Sequence, residues 1–187
     1  MKKISAPLSK TDAVSLETGE RILLSGVIYT ARDAAHKRLI ALVKQGKPLP
    51  FPIEGAIIYY TGPTPAPPGK IIGTAGPTTS YRMDAYASSL LEMGQLGMIG
   101  KGTRSPEVIA NMVKYSAVYF AAIGGGAFVS KHITSVEIIA YEDLGPEAIR
   151  KLTVLDLPVI VAINSKGRNI YEEGPKEYLS HGVSENL

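Results

Sequence analysis

Cysteine is absent from the 187-residue sequence. The chain therefore forms no disulfide, offers no thiolate nucleophile and binds no metal ion or cluster through cysteine. Its three histidines, His36, His132 and His181, lie far apart and show neither HxH nor HxxxH spacing. A histidine-built metal centre is not indicated either, so we predict no metal-binding residues in this chain.

An excess of charge and a long apolar run are also lacking. Lys and Arg number 20 against 17 Asp and Glu, and the net charge is +3. This balance argues against a basic nucleic-acid-binding arm and an acidic tail. No apolar stretch approaches the ~20 residues that span a bilayer, and the N-terminal lysines precede no signal-type apolar segment. We therefore expect a cytoplasmic protein with neither a nucleic-acid nor a membrane partner.

Glycine and proline are plentiful, at 19 and 13 residues, which predicts short elements joined by tight turns. The length fits a single domain over 1–187, with a loose tail over 173–187. Apolar β-branched runs alternate with helical segments, which is typical of an α/β fold with a mixed sheet and flanking helices.

The predicted elements follow from this alternation. Residues 1–20 are otherwise polar and irregular, with an edge strand expected over 3–8. Further strands are expected at 21–29, 55–60, 70–75, 97–100, 117–123, 135–141, 153–157, 158–164 and 169–171. Helices are expected over 34–43 behind a Thr30/Asp33 capping box, over 82–93, after the Ser105-Pro106 start, over 127–132 and, as a turn, over 145–149.

Four predicted strand-to-helix turns carry residues that are unusual at such positions. The parallel strands of an α/β sheet end at one edge, which is where ligands bind. A cation at a helix N-terminus opposes the helix dipole by a few tenths to about 1 kcal/mol, and an anionic ligand would offset this cost. The residues concerned are Arg32, Thr78, Thr79, Arg82, Lys101, Arg104, Gly124 and Gly125.

Each of these residues also has a purely structural interpretation. Arg32 could pair with Asp33 and Arg82 with Asp84, while Thr78 and Thr79 are compatible with a turn and a helix cap. His36 is compatible with a packed histidine, and the glycine run lacks the context of a phosphate-binding loop. The convergence of four such turns on one edge favours a binding site for a carboxylate, which arginine binds bidentately.

Long segments at these turns carry a family resemblance. They are SGVIYTARDAAHKR (25–38), IYYTGP (58–63), GPTTSYRMD (76–84), KGTR (101–104) and EDLGPEAI (142–149). In these segments the chain resembles the β subunit, or C-terminal domain, of the class I iron–sulfur fumarate hydratases and the related L-tartrate dehydratases. The resemblance extends over about residues 10–172.

The resemblance implies a swivelling β/β/α-type domain that works in a heterodimer or heterotetramer. The partner α subunit would hold a [4Fe–4S] cluster whose open iron acts as a Lewis acid, in keeping with the absence of cysteine here. The implied reaction is reversible hydration of the dicarboxylate fumarate to (S)-malate.

The resemblance also implies roles for individual residues. Thr78 would abstract the proton, while Arg32, Arg82 and Lys101 would bind the substrate carboxylates. Supporting roles would fall to His36, Thr79, Asp84, Arg104, Gly124 and Gly125. An L(+)-tartrate dehydratase β subunit and a non-catalytic dicarboxylate-binding assembly subunit remain the alternatives.

Overall fold

A mixed sheet of seven strands organises residues 1–175, which are the residues that this computed structural model describes. The strands are β1 (Lys2–Ala6), β2 (Arg21–Thr30), β3 (Ile57–Tyr59), β4 (Gly97–Gly100), β5 (Val118–Ala122), β6 (Ile133–Ala140) and β7 (Ile149–Ile163). The helices are α1 (Lys10–Ser15), α2 (Asp33–Lys44), α3 (Asp84–Glu92), α4 (Pro106–Tyr115) and α5 (Gly126–Ser130), with 3-10 turns at Ser80–Met83 and Glu142–Glu147. The expected α/β class with a mixed sheet and flanking helices is confirmed.

Strand β7 closes the sheet on itself. Strands β2, β3, β4 and β5 pair in parallel and in that order. β7 runs antiparallel to β2 on one side and to β5 and β6 on the other, while β1 adds to β2 in parallel. Strands β2–β5 and β7 therefore form a closed ring of hydrogen-bonded neighbours.

Alternating side chains divide the core into two layers, as the period of a β-strand requires. Tyr59 and Phe120 point into the layer enclosed by the strands, with β1 and α1. Their chain neighbours Tyr60 and Tyr119 point into the layer beneath α2, α3 and α4. Strands β3 and β5 are thus covered on both faces, which accounts for their continuous apolar runs.

Helix α4 begins and ends where its sequence indicates. The Ser105 hydroxyl accepts the Val108 amide, and Pro106 occupies the first turn. Ser116 ends the helix in the left-handed region, with φ of 61°.

Several predicted elements are wrong. Residues 1–20 include helix α1, whose cap is Ser9. Thr30 ends β2 and bonds to β7 instead of capping α2. Residues 70–75 form no strand, because the segment is held by single contacts such as that of the Tyr59 hydroxyl with the Ala75 carbonyl.

The C-terminal part also differs from the prediction. The two predicted strands 153–157 and 158–164 are one strand, β7, which ends at Ile163; Pro158 lies between the stretches of β7 that pair with β6 and with β5. Only Asn169 bridges back to β7, and residues 170–175 are helical. Most of the expected tail, 176–187, lies outside the described residues. Among residues 1–175, no helix has the length and apolar character needed to cross a bilayer.

Gly26→Ala should destabilise the fold strongly. Gly26 has φ of +113°, and a Cβ there would collide with the Ala6 carbonyl oxygen, so the β1–β2 pairing would have to shift. We expect a loss of at least about 2 kcal/mol in the free energy of unfolding, measured by urea denaturation. Gly125→Ala is the control, because its Cβ would meet nothing within 4 Å. Equal stability of the two variants would contradict this prediction.

Candidate functional site

The carboxyl ends of strands β2–β5 lie along one edge of the sheet because these strands are parallel. Arg32 follows β2, Lys101 follows β4 and Gly124 follows β5. The topology therefore brings together three of the turns that the sequence singled out, at the edge where ligands bind in such sheets.

The segment 76–80 lies across this edge and carries Thr78. The Thr78 amide donates to the Tyr60 carbonyl at 2.7 Å, just beyond β3, and the Ser80 amide donates to the Lys101 carbonyl at 3.0 Å. The Thr61 hydroxyl donates to the Gly76 carbonyl at 2.7 Å. Thr78 is thus fixed between the ends of β3 and β4, while its own hydroxyl makes no hydrogen bond within residues 1–175.

Ser80 is the buried anchor of this segment. Its hydroxyl accepts the Lys101 amide at 3.2 Å and lies 2.9 Å from the Tyr119 hydroxyl, which itself donates to the Gly102 carbonyl. Since the Tyr119 proton is engaged there, Ser80 donates to Tyr119. Gly100 makes this possible, because a Cβ at that position would occupy the place of the Ser80 hydroxyl.

The glycine loop after β5 reaches the same segment through Gly126. The Ala75 amide donates to the Gly126 carbonyl at 3.2 Å, and a Cβ on Gly126 would lie 2.6 Å from the Gly76 nitrogen. Gly124 and Gly125 are exposed, and Gly125 is the N-cap of α5. Gly126 thus makes a close backbone approach that only glycine allows. Gly124 also favours glycine, because its φ is +82° and a Cβ there would lie 2.7 Å from the Phe128 ring.

Arg32 is the N-cap residue of α2 and faces one acid. Its Nη2 lies 3.6 Å from a carboxylate oxygen of Glu147, whose other oxygen accepts the Ala34 amide at 2.8 Å. The Arg32 Nε is buried and has no partner within residues 1–175. A Cβ on Gly62 would lie 2.9 Å from Arg32 Nη1, so the glycine makes room for the guanidinium.

Arg82 forms a bidentate ion pair with Asp33, the first residue of α2. Nε and Nη2 of Arg82 donate to the two carboxylate oxygens at 3.1 and 2.9 Å. The pairings considered from sequence, Arg32 with Asp33 and Arg82 with Asp84, are not present. Lys101 is exposed, and its amino group has no partner among the described residues. The edge therefore carries three cations, two of which are paired with acids.

Arg104 and Asp84 form a buried pair under this edge. The Arg104 side chain has no exposed surface, and its Nε donates to Asp84 at 2.7 Å. The other Asp84 oxygen accepts the Ser105 amide, also at 2.7 Å. The Arg104 guanidinium packs against the rings of Tyr60 and Tyr119. The pair ties the start of α3 to that of α4, so Arg104 is placed to support the site and not to touch a ligand.

His36 is a buried, neutral histidine on α2. Its Nδ1 lies 2.9 Å from the Arg32 carbonyl oxygen, which can only accept, so Nδ1 carries the proton of the neutral ring. The ring lies between Tyr60 and Tyr86. Burial lowers the pKa of His36 to about 4. The His36 side chain therefore stabilises the first turn of α2, at whose start Arg32 lies.

Sequence reasoning misses two acids of the site, Asp33 as the partner of Arg82 and Glu147 as the partner of Arg32. The only available signal for Asp33 was its place beside Arg32. Glu147 comes from the turn before β7 and reaches Arg32 only in the folded chain. Within residues 1–175, no three His, Cys, Asp or Glu side chains form a group that could hold a metal ion.

Comparison with known proteins identifies relatives over nearly the whole chain. The family model described as Fumarase C-terminus matches residues 2–174. The chain is 38% identical to "Fumarate hydratase class I, anaerobic" of Escherichia coli K12 over 176 residues, which are 92% of this chain and 31% of that protein. It thus spans about a third of that relative's length.

A second kind of relative has the length of this chain. "Putative L(+)-tartrate dehydratase subunit beta" of Methanocaldococcus jannaschii is 36% identical over 177 residues, which are 91% of each chain.

A further relative is longer, like the first. "Fumarate hydratase 1, mitochondrial" of Leishmania major is 36% identical over 156 residues, 82% of this chain and 28% of that protein. The resemblance drawn from the sequence motifs is confirmed.

Protonation of His36 should make stability depend on pH. The unfolded chain takes up a proton near the ordinary pKa of 6.5, whereas the folded chain does so only near 4. Folding therefore excludes a proton between these values, and stability falls as the pH is lowered through that range. We expect this group to contribute a loss of about 3 kcal/mol.

The measurement is the free energy of unfolding in urea at pH 7 and pH 4.5, compared within each variant. The difference between the two pH values should shrink in His36→Phe, which keeps the ring between the tyrosines but cannot take up the proton. His132→Gln, at a half-buried position, should keep the wild-type difference. An unchanged difference in His36→Phe would disprove the assignment.

Asp84→Asn should destabilise the protein through Arg104. The substitution leaves a fully buried guanidinium without its counter-charge, which typically costs about 3–5 kcal/mol. Asp143→Asn is the matched control, since it removes the acid of an exposed bidentate pair with Arg38 and should cost at most about 1 kcal/mol. The free energy of unfolding of each variant is measured in urea at pH 7. Similar losses in both variants would contradict the conclusion that Asp84 neutralises a buried Arg104.

Proposed function

Because this chain belongs to the fumarase C-terminus family, we propose that it is the β subunit of a heteromeric hydro-lyase that reversibly hydrates fumarate to (S)-malate. The observation that carries the proposal is the sheet edge where the segment that carries Thr78 pairs with Lys101 through the backbone of residues 79 and 80, with Arg32 and Arg82 at the same edge. Three cations, together with a hydroxyl that has no hydrogen-bond partner within residues 1–175, suit the binding and deprotonation of a dicarboxylate.

In the dehydration direction, the arginines would bind the two carboxylates of malate and hold it in one orientation. Thr78, in its ionised form, would take the proton from the carbon next to one carboxylate, and negative charge would develop on that carboxylate. The hydroxyl group would leave as hydroxide from the neighbouring carbon, which gives fumarate. Lys101 would stabilise this charge, because a cation contributes most to the rate where negative charge develops during the reaction. In the hydration direction, the Thr78 hydroxyl returns the proton to the carbon.

A threonine hydroxyl is a weak base, so its environment must favour the ionised form. Two features of the site support this role. The Thr78 hydroxyl is not engaged by any described residue. The next residue, Thr79, pairs with Lys101 in the backbone, so the chain segments that carry Thr78 and Lys101 lie side by side.

The residues of this chain do not fit an iron–sulfur cluster, since it has no cysteine and its described residues include no metal-binding group. We propose that a [4Fe–4S] cluster is held by a partner α subunit, in a heterodimer or heterotetramer. Such a cluster would supply Lewis-acid chemistry at the substrate hydroxyl. The beta-subunit relative, which has nearly the length of this chain, supports the assignment of the cluster to a separate subunit.

A cytoplasmic location stays a prediction.

Two alternatives follow from the same observations. The match over 91% of a relative named for L(+)-tartrate dehydratase favours tartrate as the second substrate candidate. A non-catalytic assembly subunit would use the same cations for binding but would not need the Thr78 hydroxyl. Substrate assays and a Thr78 variant therefore distinguish the three.

Thr78→Ala should abolish turnover while leaving the complex assembled. The experiment is anaerobic co-purification with the cluster-bearing subunit, followed by the loss of fumarate absorbance. Removal of a proton-abstracting group typically lowers kcat by about 10²–10⁴-fold. Thr78→Ser retains a hydroxyl and should keep part of the activity, while Thr134→Ala, on exposed β6, should be unaffected.

The outcomes separate the hypotheses when the cluster is intact in every variant. Full activity in Thr78→Ala would place the base elsewhere and favour a binding or assembly role. Wild-type turnover of L-tartrate but not of fumarate would select the second substrate. Turnover of neither by a stable wild-type complex would overturn the proposed hydro-lyase function.

A further inference from the structure

We propose that Asp33 is a positioning residue, which orients the Arg82 guanidinium for a substrate carboxylate and sets its place relative to Arg32. The inference rests on the proposed function, because it assumes that these two arginines bind one dicarboxylate. Asp33 itself touches the guanidinium and not the ligand.

The geometry of the ion pair leaves three of the five N–H groups of the guanidinium available. Asp33 accepts from Nε and from Nη2 of Arg82, at 3.1 and 2.9 Å. A guanidinium carries five N–H groups, so both of those on Nη1 and one on Nη2 remain. The Nη1–Nη2 edge is itself a fork that matches a carboxylate. Since the Arg82 side chain is 43% exposed, a ligand can reach that edge.

Asp33 also connects the two arginines, because it follows Arg32 in the chain and forms an ion pair with Arg82. Arg32 is the N-cap residue of α2 and Asp33 is the first helical residue. The start of α2 therefore includes Arg32 itself and also holds Arg82, which comes from a different part of the chain, through the ion pair with Asp33. The spacing of the two cations then depends on Asp33, and a dicarboxylate requires a defined spacing.

The turn that carries Asp33 is held by other contacts. Glu147 accepts the Ala34 amide, and His36 donates from Nδ1 to the Arg32 carbonyl. Loss of the Asp33 carboxylate therefore leaves the start of α2 supported. A partly exposed ion pair also contributes little to folding stability. An effect of Asp33 on substrate binding can thus be separated from an effect on the fold.

The chain offers a matched control on the same helix. Arg38 forms a bidentate pair with Asp143 of the 3-10 turn, with partners of similar or greater exposure than Arg82 and Asp33. The pair has the same chemistry but lies outside the set of cations at the strand ends. Asp143→Ala therefore reports the general cost of losing such a pair.

The test compares Asp33→Ala, Asp33→Glu and Asp143→Ala in the complex with the cluster-bearing subunit. We expect Asp33→Ala to raise KM for fumarate by about 10-fold or more, with a smaller fall in kcat, because the guanidinium remains but is no longer oriented. Asp33→Glu should recover part of the loss, and Asp143→Ala should stay within about twofold of wild type. Thermal unfolding midpoints should be similar in all three.

A KM for Asp33→Ala equal to that of Asp143→Ala, in a complex whose wild type is active, would overturn the positioning role alone. If the wild-type complex is inactive, the proposed function fails, and the role of Asp33 is then tested by binding. Fumarate or L-tartrate should raise the unfolding midpoint of the wild-type complex but not that of Asp33→Ala. Equal shifts in both would overturn the positioning role, and no shift in wild type would overturn both proposals.

Discussion

The pairing of β7 with both ends of the parallel sheet is the constraint on which the rest of the structure depends. β7 binds β2 along one side and β5 and β6 along the other, and this closes the ring of strands. Because β7 is antiparallel to β2, its start lies beside the end of β2, where the Thr30 hydroxyl bonds to the Ala148 carbonyl and the Arg150 amide. The turn that precedes β7 is thereby brought to the edge of the sheet where Arg32 lies.

This arrangement explains how cations at the strand ends are tolerated. Glu147 reaches Arg32 from the turn before β7, and Asp33 reaches Arg82 from the first turn of α2. Each acid offsets the cost of a cation near a helix N-terminus. Neither acid uses the whole guanidinium, and Lys101 stays without a partner among the described residues. Without a ligand, the edge is therefore stabilised by its acids and still has N–H groups and positive charge available for an anion.

Beneath this edge the polar groups are fixed by burial. Arg104 and Asp84 join α3 to α4, Ser80 and Tyr119 hold the segment that carries Thr78, and His36 braces the turn of Arg32. Water is largely excluded from these contacts, so their loss is costly and their geometry well defined. The partly exposed side chains of Arg32, Arg82 and Thr78 thus lie above a buried polar layer, which suits the proposed binding of a small substrate in one orientation.

The sequence by itself determined the α/β class, the order of the main elements, the absence of cysteine ligands and the residues that mark the edge. These follow from local periodicity, caps such as Ser105 and composition. Only the tertiary structure decided that β7 is one strand through Pro158, that Thr30 bonds to β7, and that Asp33 and Glu147 are the partners of the arginines. Those outcomes depend on contacts between residues far apart in the chain, such as Arg32 with Glu147, and local pattern carries no information about them.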